Sequence, residues 1–304
     1  FDDYGNDKVV GTNGFYAMKA HWNEHPDRDQ KWADAERARI GEERFRREHE
    51  CEFLIFDETL INSITLAEME GTDPIETMGQ VRWWKRPKPN MTYMVSLDPA
   101  MGTGGDFAAI QIFELPTFEQ IGEWYHNMTP MNKQIQILQS ITKYIHDSIV
   151  ERDASANPQI FYSMENNTIG EAALMRVMDI GEENIHGMFL SEPIRKGHRR
   201  KFRRGFNTTA KHKIDACTKF KELIESGKMV LNSSPLISEL KDFVATGVSY
   251  KAKPGQHDDL VMSCLLMTRM MKVLADFDPK IFEKWTNRET EFTAPMPIFA
   301  NLGI

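Results

Sequence analysis

The sequence predicts an α/β fold, a mixed sheet flanked by helices, on three observations. Between residues 92 and 126, three short β-type runs follow one another, separated by turns that carry Gly or Pro. One long stretch with helical periodicity then leads into a further strand. From there to residue 274 the patterns are helical.

Each element has its own justification. HWNEHPDRDQKWADAERARIGEERFRREHECEF alternates charges of opposite sign and repeats apolar residues loosely at helical spacing, so it reads as helix-rich. VRWWKRPKPN sets two prolines and four cations ahead of the first strand and reads as a linker. It divides the chain near Val81, into 1–80 and 81–304. The runs 92–97, 107–113 and 120–126 suit an antiparallel meander. The helix over 132–149 keeps an apolar stripe of Ile135, Ile137, Leu138, Ile141, Ile145 and Ile149, and a strand follows over 159–164. Thr168 and Glu171 stand in capping-box spacing and start the next helix. Further helices are predicted over 209–226, with Asn207 or Thr208 as cap, and over 235–244 and 257–274. Three meander strands, then helix, strand and helices, is the element order of a resolvase-type ribonuclease H-like domain. There is no internal repeat and no low-complexity tract.

Composition narrows the class. The 304 residues are 41% hydrophobic and 27% charged, which suits a soluble protein of one large or two modest domains. Cys51, Cys217 and Cys264 are far apart and form no CxxC pair, so neither a disulfide framework nor a zinc site is indicated, and a reducing cytoplasm fits. No apolar run approaches the ~20 residues that span a bilayer, and FDDYGNDKVV lacks the basic-then-apolar order of a signal peptide. No membrane partner is expected.

The net charge of −8 speaks against nucleic acid until its distribution is read. PIRKGHRRKFRRGFNTTAKHKI carries Arg195, Lys196, Arg199, Arg200, Lys201, Arg203, Arg204, Lys211 and Lys213, and no acid. Phe202 and Phe206 interleave with them. Nine such cations repel one another unless a polyanion or neighbouring carboxylates neutralise them, which favours a phosphate-binding loop over a merely solvated one.

Carboxylates stand in unusual places. Asp98 ends the first strand of the meander, Glu165 follows the strand 159–164, and Asp258 and Asp259 occupy the first turn of a long apolar helix. Each abuts an element that burial should claim, where an unpaired carboxylate costs several kcal/mol. Hard divalent cations are the natural compensation, and a cluster gathered from distant segments holds a pair of ions over a scissile phosphate. Singly, each acid has an ordinary explanation. Asp98 precedes Pro99 as turn residues do, Asp106 closes the MGTGG hairpin loop, Glu165 caps a helix, and Asp258 and Asp259 complement a helix dipole. Ordinary caps have no reason to occur together in the acid order of a two-metal nuclease.

These motifs carry a resemblance. VSLDPAMGTGGDFAAI, FYSMENNTIGEAAL and GQHDDLVMSCLL resemble the first, second and third acidic motifs in the nuclease part of the large terminase subunit, the packaging motor protein of tailed, myovirus-type bacteriophages. HWNEHPDRDQKWADAERARIGEERFRREHECEFL resembles the segment that closes that family's ATPase domain. The resemblance covers nearly the whole chain. It implies a DNA endonuclease that cuts concatemers with little sequence preference, using Mg²⁺ or Mn²⁺, two ions in all. Asp98 and Glu165 are then the first two metal-binding acids and Asp259 the third, with Asp258 in the same turn as the alternative. Asp106 is an auxiliary ligand or orienter, and His257 a weaker candidate for proton transfer or phosphate contact.

The cations from Arg195 to Lys213, with Lys251 and Lys253, would grip the DNA backbone. The portal protein and the small terminase subunit are the partners implied through the full-length motor, at the procapsid in the host cytoplasm. No GxxxxGK[ST] stretch occurs, so no ATPase activity is expected, and the chain is expected to be a fragment or one half of a divided gene product. A non-catalytic docking module and another ribonuclease H-like enzyme, a junction resolvase or transposase, are the competing readings.

Overall fold

The computed structural model describes residues 21–50, 58–193 and 204–277. The chain divides into two compact units. One comprises 1–57 and 62–68, the other 58–61 and 69–304.

The first unit contains α1 (Gln30–Ile40), α2 (Glu42–His49) and α3 (Ser63–Glu68). Asp29 caps α1 by accepting the Trp32 N–H at 2.8 Å. Gly41, at φ +86°, separates α1 from α2 in a conformation that glycine alone adopts freely. Trp22, Trp32, Phe45 and His49 pack ring against ring, with centroids 5.1 to 6.2 Å apart.

The second unit is built on one seven-stranded sheet and a separate hairpin. The strands are β1 (Glu76–Met78), β2 (Val81–Trp83), β3 (Thr92–Asp98), β4 (Ala108–Leu115), β5 (Glu119–His126), β6 (Gln159–Met164) and β7 (Met188–Phe189). Their order across the sheet is β1-β2-β5-β4-β3-β6-β7. β3, β6 and β7 run parallel to one another, and the remaining pairings are antiparallel. The expected meander is therefore present as β3, β4 and β5. The stretch from Val81 read as a linker begins as β2, which pairs with β5. Its three-residue run is too short to show a period of two.

Helices α4 (Met131–Arg152) and α5 (Thr168–Ile180) cover one face, where Val95, Leu97, Ile110, Ile112, Tyr162 and Met164 meet Ile135, Leu138, Ile141, Ile145 and Ile149. Ile137 sits at the edge of that stripe, partly buried. The cap of α5 is Asn167 rather than Thr168. The Asn167 side chain accepts the Gly170 N–H at 2.8 Å, and Thr168 is already helical.

Then come α6 (Ala210–Glu225), α7 (Ser234–Asp242), the hairpin β8 (Phe243–Thr246) and β9 (Ser249–Ala252), and α8 (Asp259–Phe277). Thr209 caps α6, and Ser233 caps α7. The β8–β9 pair is a further element absent from the sequence reading, which gave residues 243 and 244 to a helix. Helix α8 starts two residues later than predicted, with Asp258 just ahead of it accepting the Met262 N–H at 2.8 Å.

Alternation along the strands sorts the sheet into two faces. The residues that oppose α4 are apolar. The opposite set includes Ser96, Gln111, Gln120, Glu123 and Ser163, all fully buried. Buried polar groups need partners, and these have them. Glu123 accepts from Arg82, from Gln111 Nε2 at 2.7 Å and from Ser233 Oγ at 2.8 Å. Ser263 of α8 exchanges hydrogen bonds with Ser96 of β3 at 2.8 to 3.0 Å. That latch lies two residues before Asp98 and one turn after Asp259.

Candidate active site

The parallel pairing of β3 with β6 creates the site. Leu97 stands opposite Met164, so the next residues, Asp98 and Glu165, emerge side by side at the C-terminal ends of neighbouring strands. The Glu165 N–H continues the ladder, donating to the Leu97 carbonyl at 3.1 Å. Glu165 is buried and its Oε2 accepts the Asn167 side-chain N–H at 3.0 Å. Gly170 lets the first turn of α5 close on this backbone, since a Cβ there would collide with the Glu165 carbonyl oxygen.

Asp98 is half-buried and shares a hydrogen bond with Glu165. Burial first, then Glu165 and the charges of Asp259 and Asp258, hold its carboxyl well above the usual carboxylate range. Asp259 reaches the same region from α8. Its Oδ2 accepts the Phe107 N–H at 3.1 Å and lies 3.5 Å from His257 Nδ1. Burial pushes Asp259 up to about 6, against the pull of the Phe107 amide, with Asp258 and Asp106 adding to the rise.

Asp258 turns elsewhere. Its Oδ2 accepts the Ala252 N–H of β9 at 3.1 Å and lies 3.9 Å from Lys213 Nζ. Asp106 is exposed on the glycine loop, and its charge acts on Asp259. His257 is exposed, with its ring edge-on to Phe107 at 4.9 Å.

Among the described residues, no three His, Cys, Asp or Glu side chains close on one point as a finished metal cage. The donor chemistry nonetheless fits a divalent cation. The donors are hard carboxylate oxygens, the neighbouring acid charges raise the pKa of Asp98 and of Asp259, and Lys213 faces Asp258. A bound ion would favour the ionised carboxylates and offset that repulsion.

Six of the nine cations singled out in the sequence, Arg195, Lys196, Arg199, Arg200, Lys201 and Arg203, lie outside the described residues. Arg204 pairs with Glu182 and lies over the Phe189 ring, 5.3 Å from its centre. Lys213 faces Asp258 and the Phe243 ring, and Lys211 is exposed. Lys251 is exposed, and Lys253 pairs with Asp242 at 3.2 Å. The segment from Arg204 is tied to the acids directly. The Asn166 side chain donates to the Arg204 carbonyl and the Asn166 N–H to that of Phe206, both at 2.7 Å. Both feet of the cationic stretch are joined by Arg269 of α8, which donates to Glu192, to the Asn207 carbonyl at 2.9 Å and to Thr208 at 3.0 Å.

Three residues around the acids escaped sequence reasoning. Asn167 and Gly170 follow Glu165 closely, and an Asn directly before a helical Thr-Ile-Gly was a readable cap signal. Glu239, on α7, accepts the Leu260 and Val261 N–H groups at 2.9 and 3.1 Å, and no local pattern marks it. Burial pushes its carboxyl up to about 8.

A mixed sheet whose parallel strands β3 and β6 lead into acids, with a helix delivering a further acid beside them, is the architecture of a ribonuclease H-like domain. A profile of the family described as the terminase RNaseH-like domain matches residues 95–270, more than half of the chain. The chain belongs to that family. Its fold is similar to that of the large terminase nuclease from thermophilic phage G20c. The structure of that protein with bound magnesium is 17% identical, at a TM-score of 0.51, covering 70% of this chain and 97% of the other. A second structure of the G20c nuclease is 16% identical, at a TM-score of 0.52, covering 70% and 98%.

Proposed function

We propose that the chain is the nuclease of a viral genome-packaging terminase, a divalent-metal-dependent endonuclease cutting concatemeric double-stranded DNA with little sequence specificity. One observation carries this reading: the parallel β3–β6 ladder sets Asp98 and Glu165 side by side at adjoining strand ends, and Asp259 of α8 lies near enough for its charge to act on Asp98. Membership of the terminase ribonuclease H-like family supports it. So does the magnesium in the G20c nuclease of similar fold.

Asp98, Glu165 and Asp259 hold the metal, with Asp258 and Asp106 at the margin. When bound, a pair of Mg²⁺ or Mn²⁺ ions supplies the charge that activates water and steadies the leaving oxygen. The protein contributes the placement. The β3–β6 ladder sets the spacing of Asp98 and Glu165, and Asn167 orients one Glu165 oxygen. The Phe107 amide fixes one oxygen of Asp259. Lys211 and Lys251, together with the cations from Arg195 to Arg203, bind the phosphate backbone, which gives affinity without base reading. In the complete motor, the portal protein and the small subunit are its partners, and the host cytoplasm is where it acts.

Supercoiled plasmid with Mg²⁺ or Mn²⁺, set against EDTA, tests the proposal. Nicking and linearisation should require metal. Asp98→Ala should lower the rate by about 10²-fold or more, the scale of losing one preorganised charge-stabilising group. If parent and variant both bind DNA and neither cuts under any metal, a docking module replaces the nuclease.

A further inference from the structure

Glu239 lies on a helix that contributes no acid to the cluster, yet its carboxylate ends on the turn that does. Its Oε2 accepts two N–H groups, those of Leu260 at 2.9 Å and Val261 at 3.1 Å. These amides follow Asp259 directly and belong to the first turn of α8, whose N–H groups have no partner within the helix. The cap is therefore tertiary, supplied by α7 rather than by a neighbouring residue of α8.

Helix α7 is itself anchored to the sheet. The Ser233 Oγ donates to Glu123 Oε1 at 2.8 Å, and the Asn232 and Ser233 N–H groups donate to Gln120 Oε1 at 2.8 and 2.9 Å. Gln120 and Glu123 are fully buried in β5. Helix α7 is thus fixed to β5 at its head and holds the residues behind Asp259 through Glu239. The same turn is also held by the Phe107 N–H on Asp259 Oδ2. Two grips on one turn, one on its backbone amides and one on the Asp259 side chain, restrict its rotation about the helix axis.

We infer that Glu239 is a positioning residue for the proposed nuclease reaction. By holding the Leu260 and Val261 amides it fixes the rotation of the first turn of α8, and so the direction in which Asp259 and Asp258 present their carboxylates. The inference rests on the nuclease reading of the acid cluster.

The test compares the parent chain with E239A and E239Q in three measurements. These are Mn²⁺ binding by calorimetry without DNA, plasmid nicking across a Mn²⁺ titration, and DNA binding in EDTA. The glutamine keeps an oxygen that accepts both N–H groups, so E239Q should stay close to the parent. E239A should weaken Mn²⁺ binding by about 10- to 100-fold, as loss of an outer-shell partner does. Its nicking curve should move to higher Mn²⁺ by the same factor while DNA binding holds.

Parental Mn²⁺ affinity in E239A overturns the inference. If E239A does not fold, E239Q decides: parental metal affinity supports the acceptor role, and a loss of about 10-fold or more overturns it. A parent that neither binds Mn²⁺ nor cuts overturns the nuclease reading and this inference with it. A parent that does both, beside an unaltered E239A, overturns the inference alone.

Discussion

Burial first, and the adjacent Glu165 second, hold the Asp98 carboxyl above the usual carboxylate range. The charges of Asp259 and Asp258 add to that rise. The same closeness makes the backbone around Glu165 intolerant of bulk. Gly170→Ala should force the first turn of α5 away from the Glu165 carbonyl, with a loss of about 1–3 kcal/mol, the range for overpacking a filled space. Urea denaturation of parent and variant reads the difference, and an unchanged midpoint would show that α5 can shift freely. Asp259 and Asp258 differ at this scale by one hydrogen bond each. Asp259 is bound to the Phe107 amide of the acid cluster, whereas Asp258 is bound to Ala252 of the hairpin and faces Lys213.

At the level of elements, the β2 strand and α7 meet through one buried acid. Glu123 is fully buried in β5, and Arg82 of β2 is its ion-pair partner. Gln111, Gln120 and Ser233 complete its hydrogen bonds. Burial still raises its pKa against the pull of Arg82. Arg82→Ala leaves that charge without its counter-ion and should cost about 3 kcal/mol. The cost should shrink at acid pH, because a proton then neutralises Glu123. Unfolding midpoints of parent and variant at pH 5 and pH 8 provide the comparison; equal losses at both would mean the pair is held by packing, not charge. The Ser96–Ser263 latch works at the same level, joining α8 to β3 between the two acids those elements carry.

For the whole molecule, the acid cluster couples stability to pH and to metal. Asp259 is raised to about 6, Glu239 to about 8, and Asp98 well above its ordinary range. Folded acids with raised pKa bind protons more tightly than the unfolded chain does. Their stabilising contribution is therefore complete below the ordinary carboxylate range and is lost as pH rises through about 6 and about 8. The metal-free chain should accordingly melt at a lower temperature at pH 8 than at pH 5 as far as these groups govern. Added Mn²⁺ should narrow that gap, because it binds the deprotonated acids. Thermal melts at the two pH values, with and without Mn²⁺, check this, and a Tm indifferent to Mn²⁺ at pH 8 would count against a metal site. Among the described residues, no helix is long and apolar enough to cross a membrane.

By itself the sequence determined the meander, α4, β6 and the positions of the acids along the chain. Period-two alternation, a helical stripe and an acid ending an apolar run are all properties of neighbouring residues, and neighbours are visible in a string. The short strands β1, β2, β8 and β9 were not legible, because three or four residues carry too little periodicity and their pairing depends on distant partners. The cap at Asn167 escaped for a different reason: Thr168 and Glu171 also satisfied a capping pattern one residue on. Only the tertiary structure decided that Asp259 turns to Phe107 and Asp258 to Ala252, and that Glu239 stands behind both. Those choices depend on how α8 is rotated against β3, β4 and α7. That rotation follows from packing between segments distant in sequence, which spacing along one helix cannot encode.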